Sequence, residues 1–214
     1  LTMVTRRGVI KRTPLKEYEY QRKGGKIALN LDEGDELLFV RCTTGDCELL
    51  IATRNGQAVR FHEENARVMG RTARGVRGIS LRDGDEVVGV AVIEEGKDLL
   101  CVTENGFGKR SPFEDFRLMA HRGGYGVTCY NITDKSGALT GVSAVDDNDD
   151  LMLITDGGTI IRTPVAGIPT RSRSAGGVII MKMGEGQKIA NFTKVAHAEE
   201  VTEEAEGSEE EQGE

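Results

Sequence analysis

One hairpin-like pattern occurs four times in this chain and constrains its fold more than any other feature. Each copy is an apolar run, a Thr, a turn that contains Gly, and a second strand-like segment that ends in Arg. The turn glycines Gly8, Gly56, Gly106 and Gly158 are 48, 50 and 52 residues apart. A fixed period in this range predicts one supersecondary unit that is used four times.

The sequence around each turn predicts a β-hairpin. In the second copy, Asn55 and Gly56 separate two strand-like segments. This dipeptide is typical of a two-residue type I′ turn, in which both central residues have positive φ. Two more strand-like segments follow each hairpin, and no part of the chain has convincing helical periodicity. The sequence therefore predicts an all-β, propeller-like fold of four four-stranded antiparallel blades.

The blades are predicted to follow the repeat along residues 1–198. We expect their boundaries to be residues 1–48, 49–98, 99–150 and 151–195. The third strands are predicted at residues 26–31, 76–81, 127–132 and 178–183. The first strand of each hairpin is apolar on both faces, so we expect it to be the innermost strand of its blade. Neighbouring blades then complete the core.

Charge is distributed unevenly along the chain. The net charge is −7, but residues 199–214 hold nine Glu and no Lys or Arg, which leaves +2 for residues 1–198. The composition of residues 199–214 predicts a disordered acidic tail. This asymmetry favours a polyanion partner or a solubilising tail. No signal peptide is recognisable and the apolar run at residues 87–93 is too short to span a bilayer, so we expect a cytoplasmic protein without a membrane partner.

The segments that cross from each hairpin to the third strand place Arg or Lys beside glycines. Glycine lets a backbone approach a phosphate closely, and Arg and Lys supply positive charge. A single such segment is equally consistent with a solvated surface, but four in register favour phosphate binding. The leading candidates are Arg22, Lys23, Lys26, Arg71, Arg74, Arg77, Arg122, Arg171 and Arg173. A second group lies on the second hairpin strands and comprises Arg12, Arg60, Lys109, Arg110 and Arg162.

The first crossing segment carries a recognisable motif. Residues 21–27 read Gln-Arg-Lys-Gly-Gly-Lys-Ile, which resembles the Gln-Arg-Arg-Gly-Gly-Arg/Lys-Gly box of the C-terminal domain of the DNA gyrase A subunit. Lys23 is a conservative change, and Ile27 stands where the box has Gly. The four repeats resemble that family's blades over residues 1–195. The residues that the resemblance adds to the DNA-binding candidates are Gln21, Gly24 and Gly25.

The resemblance implies a β-pinwheel, a propeller in which neighbouring blades exchange strands. It also implies that duplex DNA binds without sequence specificity and bends around a basic rim. Such a domain has no catalytic residues, cofactor or metal of its own. It would serve an ATP-dependent type II topoisomerase, an isomerase that introduces negative supercoils. Its partners would be the gyrase B subunit together with the remainder of the gyrase A subunit.

Three alternatives remain open at the level of sequence. The C-terminal domain of the topoisomerase IV A subunit has similar repeats. A protein-binding propeller would bind a peptide independently of salt and expose an apolar patch. An enzyme would need a reactive cluster, and the densest carboxylates in the body of the chain are Asp146, Asp147, Asp149 and Asp150. These have no His or Cys neighbour, and we interpret them as a solvated turn.

Overall fold

The computed structural model describes residues 1–20 and 23–196 of the chain. Four small sheets form a four-bladed propeller, and the only helical elements in this part of the chain are single 3₁₀ turns. None of the helical elements in these residues has the length and apolarity needed to cross a membrane. Gln21, Arg22 and the acidic tail predicted at residues 199–214 lie outside the described residues.

Each unit contributes a hairpin and a longer fourth strand, and the second, third and fourth units also contribute a short third strand. The first unit contains β1 (Thr2–Thr5), β2 (Val9–Arg12) and β3 (Leu37–Arg41). The second contains β4 (Glu48–Thr53), β5 (Gln57–His62), β6 (Val76–Arg77) and β7 (Val87–Val92). The third contains β8 (Asp98–Thr103), β9 (Phe107–Pro112), β10 (Leu118–Met119), β11 (Val127–Thr128) and β12 (Leu139–Val145). The fourth contains β13 (Asp149–Thr155), β14 (Ile160–Pro164), β15 (Val178–Ile179) and β16 (Ile189–Ala196).

The short third strands are exchanged between units. Each pairs antiparallel with the second hairpin strand of the preceding unit, so that β6 joins β2, β11 joins β5 and β15 joins β9. The sheet orders are therefore β3-β1-β2-β6, β7-β4-β5-β11 and β12-β8-β9-β15, followed by β14-β13-β16. This is the strand exchange that the resemblance to β-pinwheels implied.

Strand exchange explains where the predicted strands differ from the observed ones. Residues 26–31 were predicted as a strand, but they form none. A third strand needs the hairpin of a preceding unit as its partner, and no described hairpin precedes the first unit. The described part of the fourth sheet has three strands instead of four, because the described residues include no third strand from a following unit that could pair with its hairpin. The strand β10 was not predicted, and it pairs parallel with β5 where the third crossing segment passes that hairpin.

The fourth strands, and not the first, surround the centre of the propeller. The contacts run from β3 to β7, from β7 to β12 and from β12 to β16, and these four strands line a cavity of about 420 Å³. The prediction that the first hairpin strands are innermost is therefore wrong. Those strands occupy the middle of each sheet, where a strand has hydrogen-bonding partners on both edges and packing on both faces. Leu49, Leu50 and Ile51 of β4 are consequently fully buried.

The core is divided among the contacts between adjacent blades. One hydrophobic cluster combines Val4 and Ile10 of the first unit with β4 and β5 of the second. The next joins the second and third units around Phe113 and Tyr130, and the last joins the third and fourth units. Every cluster draws on two units, so an isolated blade would leave much of its apolar surface in water.

The turn glycine Gly56 meets two requirements at once. Gly56 has a φ of 77°, and its N–H donates to the carbonyl of Thr53 at 3.0 Å. Asn55 does not share this conformation, because only glycines have positive φ among the described residues. The predicted type I′ turn is therefore wrong. A Cβ on Gly56 would also lie 2.5 Å from the carbonyl oxygen of Tyr130, because the exchanged segment of the next unit passes directly over the turn.

Candidate nucleic-acid interface

The arginines at the ends of the second hairpin strands connect adjacent blades. Arg60 donates from Nη1 to the carbonyls of Phe113 and Phe116, at 2.6 and 3.1 Å, and from Nε to Glu48 at 2.6 Å. Phe113 begins the 3₁₀ turn of the next unit. Arg12 and Arg110 make the corresponding contacts with the second and fourth units. The repeated arginine therefore satisfies backbone carbonyls at each blade contact.

This arrangement corrects the prediction that these arginines bind DNA. The side chains of Arg12, Arg60 and Arg110 are only 12%, 17% and 12% exposed. Arg162 has no next unit within the described residues, and it pairs instead with Asp150 at 2.7 Å and with a carbonyl of β16. Its side chain remains 45% exposed. The register of the arginines follows from blade assembly, so it is no evidence for a phosphate-binding row.

We expect the replacement Arg60→Ala to destabilise the domain by about 2 kcal/mol. It removes charge-assisted hydrogen bonds and leaves two carbonyls at a blade contact without their partner. Arg67→Ala is the control, since it removes an exposed arginine that forms no ion pair with a described residue, and it should cost less than ~0.5 kcal/mol. Urea unfolding of both variants at pH 7 measures the difference. Equal losses in the two variants would contradict the role given to Arg60.

Lys109 also has a structural role and was wrongly predicted to face DNA. Its side chain is fully buried, and Nζ donates to the carbonyls of Ser172 and Arg173 at 2.7 and 2.6 Å. The ammonium lies 5.4 Å from the centre of the Tyr130 ring, and burial lowers the pKa of this lysine. Lys11 occupies the same repeat position and is also buried. These lysines hold crossing segments against the preceding hairpin.

Three arginines on the crossing segments share a contact that was not predicted from the sequence. Each lies five residues before the third strand of its unit and donates from Nη1 to a carbonyl in the preceding unit. The contacts are Arg71 to Ile27 at 2.9 Å, Arg122 to Arg77 at 2.6 Å, and Arg173 to Thr128 at 2.8 Å. The constant spacing from the third strand was the available signal. A guanidinium has five N–H donors, so each of these arginines keeps donors for an outside acceptor.

Other predicted residues on the crossing segments are open to solvent. Lys23, Arg77 and Arg171 are exposed, and their side chains form no ion pair with a described residue. A Cβ on Gly24 or Gly25 would meet nothing within 4 Å, so the backbone of this loop is accessible to a large ligand. These residues form the accessible part of the candidate interface.

Two predicted cations have partners but remain accessible. Arg74 forms an ion pair with Asp32, although its side chain is 70% exposed. Lys26 donates to the carbonyl of Glu17 at 3.2 Å. Arg67 and Arg117 were not predicted, and both are exposed at equivalent positions just after a 3₁₀ turn. Both precede the basic, Gly-containing stretches at residues 71–78 and 121–126 from which the candidates of these two units were selected.

Positive charge near the hairpin turns is largely neutralised. Arg6 lies 3.4 Å from Glu86, Arg54 lies 2.9 Å from Glu104, and Lys188 lies 3.1 Å from Glu104. These pairs link the first unit to the second, the second to the third and the third to the fourth. The uncompensated cations are therefore concentrated on the crossing segments, along the outer edges of the sheets.

The carboxylates at residues 146–150 serve the fold and are not all solvated. Asp149 and Asp150 belong to β13, and Asp150 is buried and paired with Arg162. Asp147 lies 2.5 Å from Arg110. The predicted solvated turn is therefore wrong for Asp150. No group of three or more metal-ligating side chains occurs among residues 1–20 and 23–196.

Comparison with known proteins places the chain in a family. Residues 1–44, 48–94, 97–146 and 149–196 match the repeat described as "DNA gyrase C-terminal domain, beta-propeller". The chain belongs to this family. The A subunit of DNA gyrase from Clostridium acetobutylicum is 50% identical over 195 residues, which cover 91% of this chain and 23% of that protein. The corresponding gyrase protein of Staphylococcus epidermidis is 42% identical over 197 residues, which cover 91% and 22%. The chain thus spans less than a quarter of these relatives.

Solved structures agree with this assignment of a gyrase C-terminal domain. The crystal structure of the C-terminal domain of DNA topoisomerase IV superposes with a TM-score of 0.85 at 28% identity, covering 91% of this chain and 61% of that one. A DNA gyrase A C-terminal domain superposes with a TM-score of 0.81 at 25% identity, covering 90% and 64%. The fold is common to both enzymes, while the curated relatives described above are gyrase A subunits.

Proposed function

We propose that this chain is the DNA-wrapping domain of a DNA gyrase A subunit. It binds duplex DNA without sequence specificity and bends it along the crossing segments. The observation that carries the proposal is the repeated display of uncompensated cations on these segments, while Arg6, Arg54 and Lys188 near the hairpin turns are paired. The domain performs no catalysis itself. It serves the type II topoisomerase that the B subunit forms with the rest of the A subunit in the bacterial cytoplasm.

The proposed interface is narrower than the set of basic residues in the repeats. It retains Lys23, Lys26, Arg71, Arg74, Arg77, Arg122, Arg171 and Arg173, and it adds Arg67 and Arg117. Gln21 and Arg22 belong to it on the basis of sequence alone. It omits Arg12, Arg60, Lys109 and Arg110, which contact neighbouring units, and Arg162, which pairs with Asp150 of its own sheet.

Contacts from successive blades can offset the cost of bending DNA. A bend of 40–90° over 20–30 base pairs costs roughly 1–6 kcal/mol. Release of counterions from neutralised phosphates supplies the opposing free energy. The guanidinium groups of Arg71, Arg122 and Arg173 are already fixed by carbonyls of the preceding unit. Because these side chains are preorganised, they lose less conformational entropy when a phosphate binds.

We expect a triple variant, Lys23→Ala, Arg77→Ala and Arg171→Ala, to bind DNA more weakly and with a smaller salt dependence. Each lost phosphate contact reduces the slope of log affinity against log salt by about one, so the slope should fall by about three. End-to-end energy transfer on a doubly labelled duplex should also report less bending. The thermal midpoint should shift little, because exposed substitutions usually change stability by less than ~0.5 kcal/mol each.

The matched control removes three exposed cations that lie outside the crossing segments. The variant Arg7→Ala, Arg41→Ala and Lys135→Ala causes the same change in net charge. It should leave the salt slope and the bend close to those of the original chain. If both triple variants lose affinity equally, the affinity for DNA depends only on the total charge of the chain, and the proposed path along the crossing segments is wrong.

A further inference from the structure

Tyr125 is a large aromatic residue displayed on the surface of the third crossing segment. Its side chain is 55% exposed, and it stands between Gly124 and Gly126. The guanidinium carbon of Arg82 lies 5.3 Å from the ring centroid and covers one face. An exposed aromatic residue with one face engaged by a cation offers apolar area to a partner beside a positive charge.

The backbone around Tyr125 is held without help from the tyrosine ring. The N–H of Gly123 donates to the carbonyl of Gly78 at 2.7 Å. Ser80 donates from its N–H to the carbonyl of Gly124 at 2.9 Å and from Oγ to the carbonyl of Gly123 at 2.7 Å. The loop therefore presents Tyr125 in a fixed position, so little entropy is lost when the ring meets a ligand.

The fold does not require an aromatic residue at this place. The equivalent position, two residues before the third strand, is Arg74 in the second unit and Gly176 in the fourth. Arg74 pairs with Asp32, which is the repeat equivalent of Arg82. A neutral ion pair at one blade contact thus corresponds to a Tyr–Arg pair with a net charge of +1 at the next.

Two further arginines lie beside this pair. Nη1 of Arg122 donates to the carbonyl of Arg77 at 2.6 Å. The side chain of Arg77 passes within 3.8 Å of the place that a Cβ on Gly123 would occupy. The exposed ring of Tyr125 therefore lies against the guanidinium of Arg82, with two more arginines on the neighbouring backbone, and this arrangement suits a polyanion with apolar surface between its charges.

We propose that Tyr125 contacts the sugar–phosphate backbone of the bound duplex, on the basis of the DNA-binding function proposed above. The ring packs against a deoxyribose and the hydroxyl donates to a phosphate oxygen, while Arg82 neutralises a neighbouring phosphate. Stacked bases of an intact duplex are not accessible to a side chain in this position. The apolar part of this contact adds free energy of binding that salt does not screen. The contacts between arginines and phosphates add free energy that salt does screen.

The test compares Tyr125→Ser and Tyr125→Phe with the original chain in binding to one labelled random-sequence duplex over a range of salt. We expect Tyr125→Ser to weaken binding about three- to tenfold at every salt concentration with the salt slope unchanged. Tyr125→Phe should retain most of the affinity because it keeps the ring. Arg82→Ala should instead lower the slope by about one.

The control is Ile160→Ser, because Ile160 is 56% exposed and lies on β14, outside the crossing segments. It should bind DNA as the original chain does, and thermal unfolding should show that all variants remain folded. If the original chain itself fails to bind DNA, the proposed function is wrong. If it binds and Tyr125→Ser binds equally well, or if that variant changes the salt slope, the role given to Tyr125 is wrong.

Discussion

DNA binding by this domain is expected to weaken by about three to five orders of magnitude between 50 and 200 mM monovalent salt, if six to ten phosphates are contacted. The crossing segments offer enough accessible cations for that number of contacts. Each neutralised phosphate releases condensed counterions, so added salt opposes binding in proportion to the number of contacts. Fluorescence anisotropy with a labelled duplex at several salt concentrations gives the slope directly.

Sequence preference is measured in the same experiment with two duplexes of equal length and unrelated sequence. Their affinities should agree within a few-fold, because contacts to phosphates do not distinguish bases. An affinity that stays constant over this salt range would exclude the wrapping function and favour a protein-binding propeller. A strong preference for one of the duplexes would exclude sequence-indifferent wrapping.

The second large effect concerns a buried carboxylate at the contact between the first two blades. Glu63 is fully buried and accepts hydrogen bonds from the N–H of Gly45 at 2.7 Å and from Oγ of Thr43 at 2.6 Å. Arg12 lies 3.2 Å from the same carboxylate. Burial by itself raises the pKa of Glu63, but hydrogen bonds from Thr43, Cys47 and Gly45 outweigh burial and lower the pKa to about 2.

We expect Glu63→Gln to destabilise the domain by about 3 kcal/mol at pH 7, since each unit of pKa depression corresponds to about 1.4 kcal/mol. The ionised carboxylate stabilises the folded chain at pH values above 4.5, its usual pKa, and this contribution is lost as the pH falls toward about 2. Urea unfolding between pH 2 and 7 should show this loss in the original chain and not in the variant.

The neighbouring residue supplies the control for this experiment. The side chain of Glu64 is 69% exposed, so Glu64→Gln should change the free energy of unfolding by less than ~0.5 kcal/mol. A loss at Glu63 no larger than the loss at Glu64 would show that the buried carboxylate contributes little. The same result would weaken the interpretation of Arg12 as a residue that joins blades.

Local patterns in the sequence were sufficient to predict the units of the fold. The apolar first strands, the turn glycines and the constant period predicted a hairpin around each of Gly8, Gly56, Gly106 and Gly158, and the structure has a hairpin at each. Hairpins are predictable in this way because they depend on neighbouring residues. Three of the third strands begin where they were predicted, at residues 76, 127 and 178, but each is only two residues long. Residues 26–31 occupy the equivalent place in the first unit, yet they form no strand, and the described residues hold no earlier hairpin with which they could pair.

For the candidate site, too, the sequence predicted one part and the structure was needed for the other. Lys23 and Arg171, which the basic and Gly-containing crossing segments marked as candidates, are exposed in the structure. The repeated arginines exemplified by Arg60 looked equally suitable in sequence. Only the structure shows that this guanidinium points at carbonyls of the next unit, about 50 residues farther along the chain.

The sequence by itself determined the repeat, the hairpins and the segments where positive charge is concentrated. The tertiary structure decided which cations remain accessible, which strands are exchanged between units and which strands surround the centre. The physical reason is that backbone turns and alternating strands are set by neighbours in sequence. The partner of a long side chain such as Arg60 or Lys109 is set by a blade that lies distant in sequence and adjacent in space.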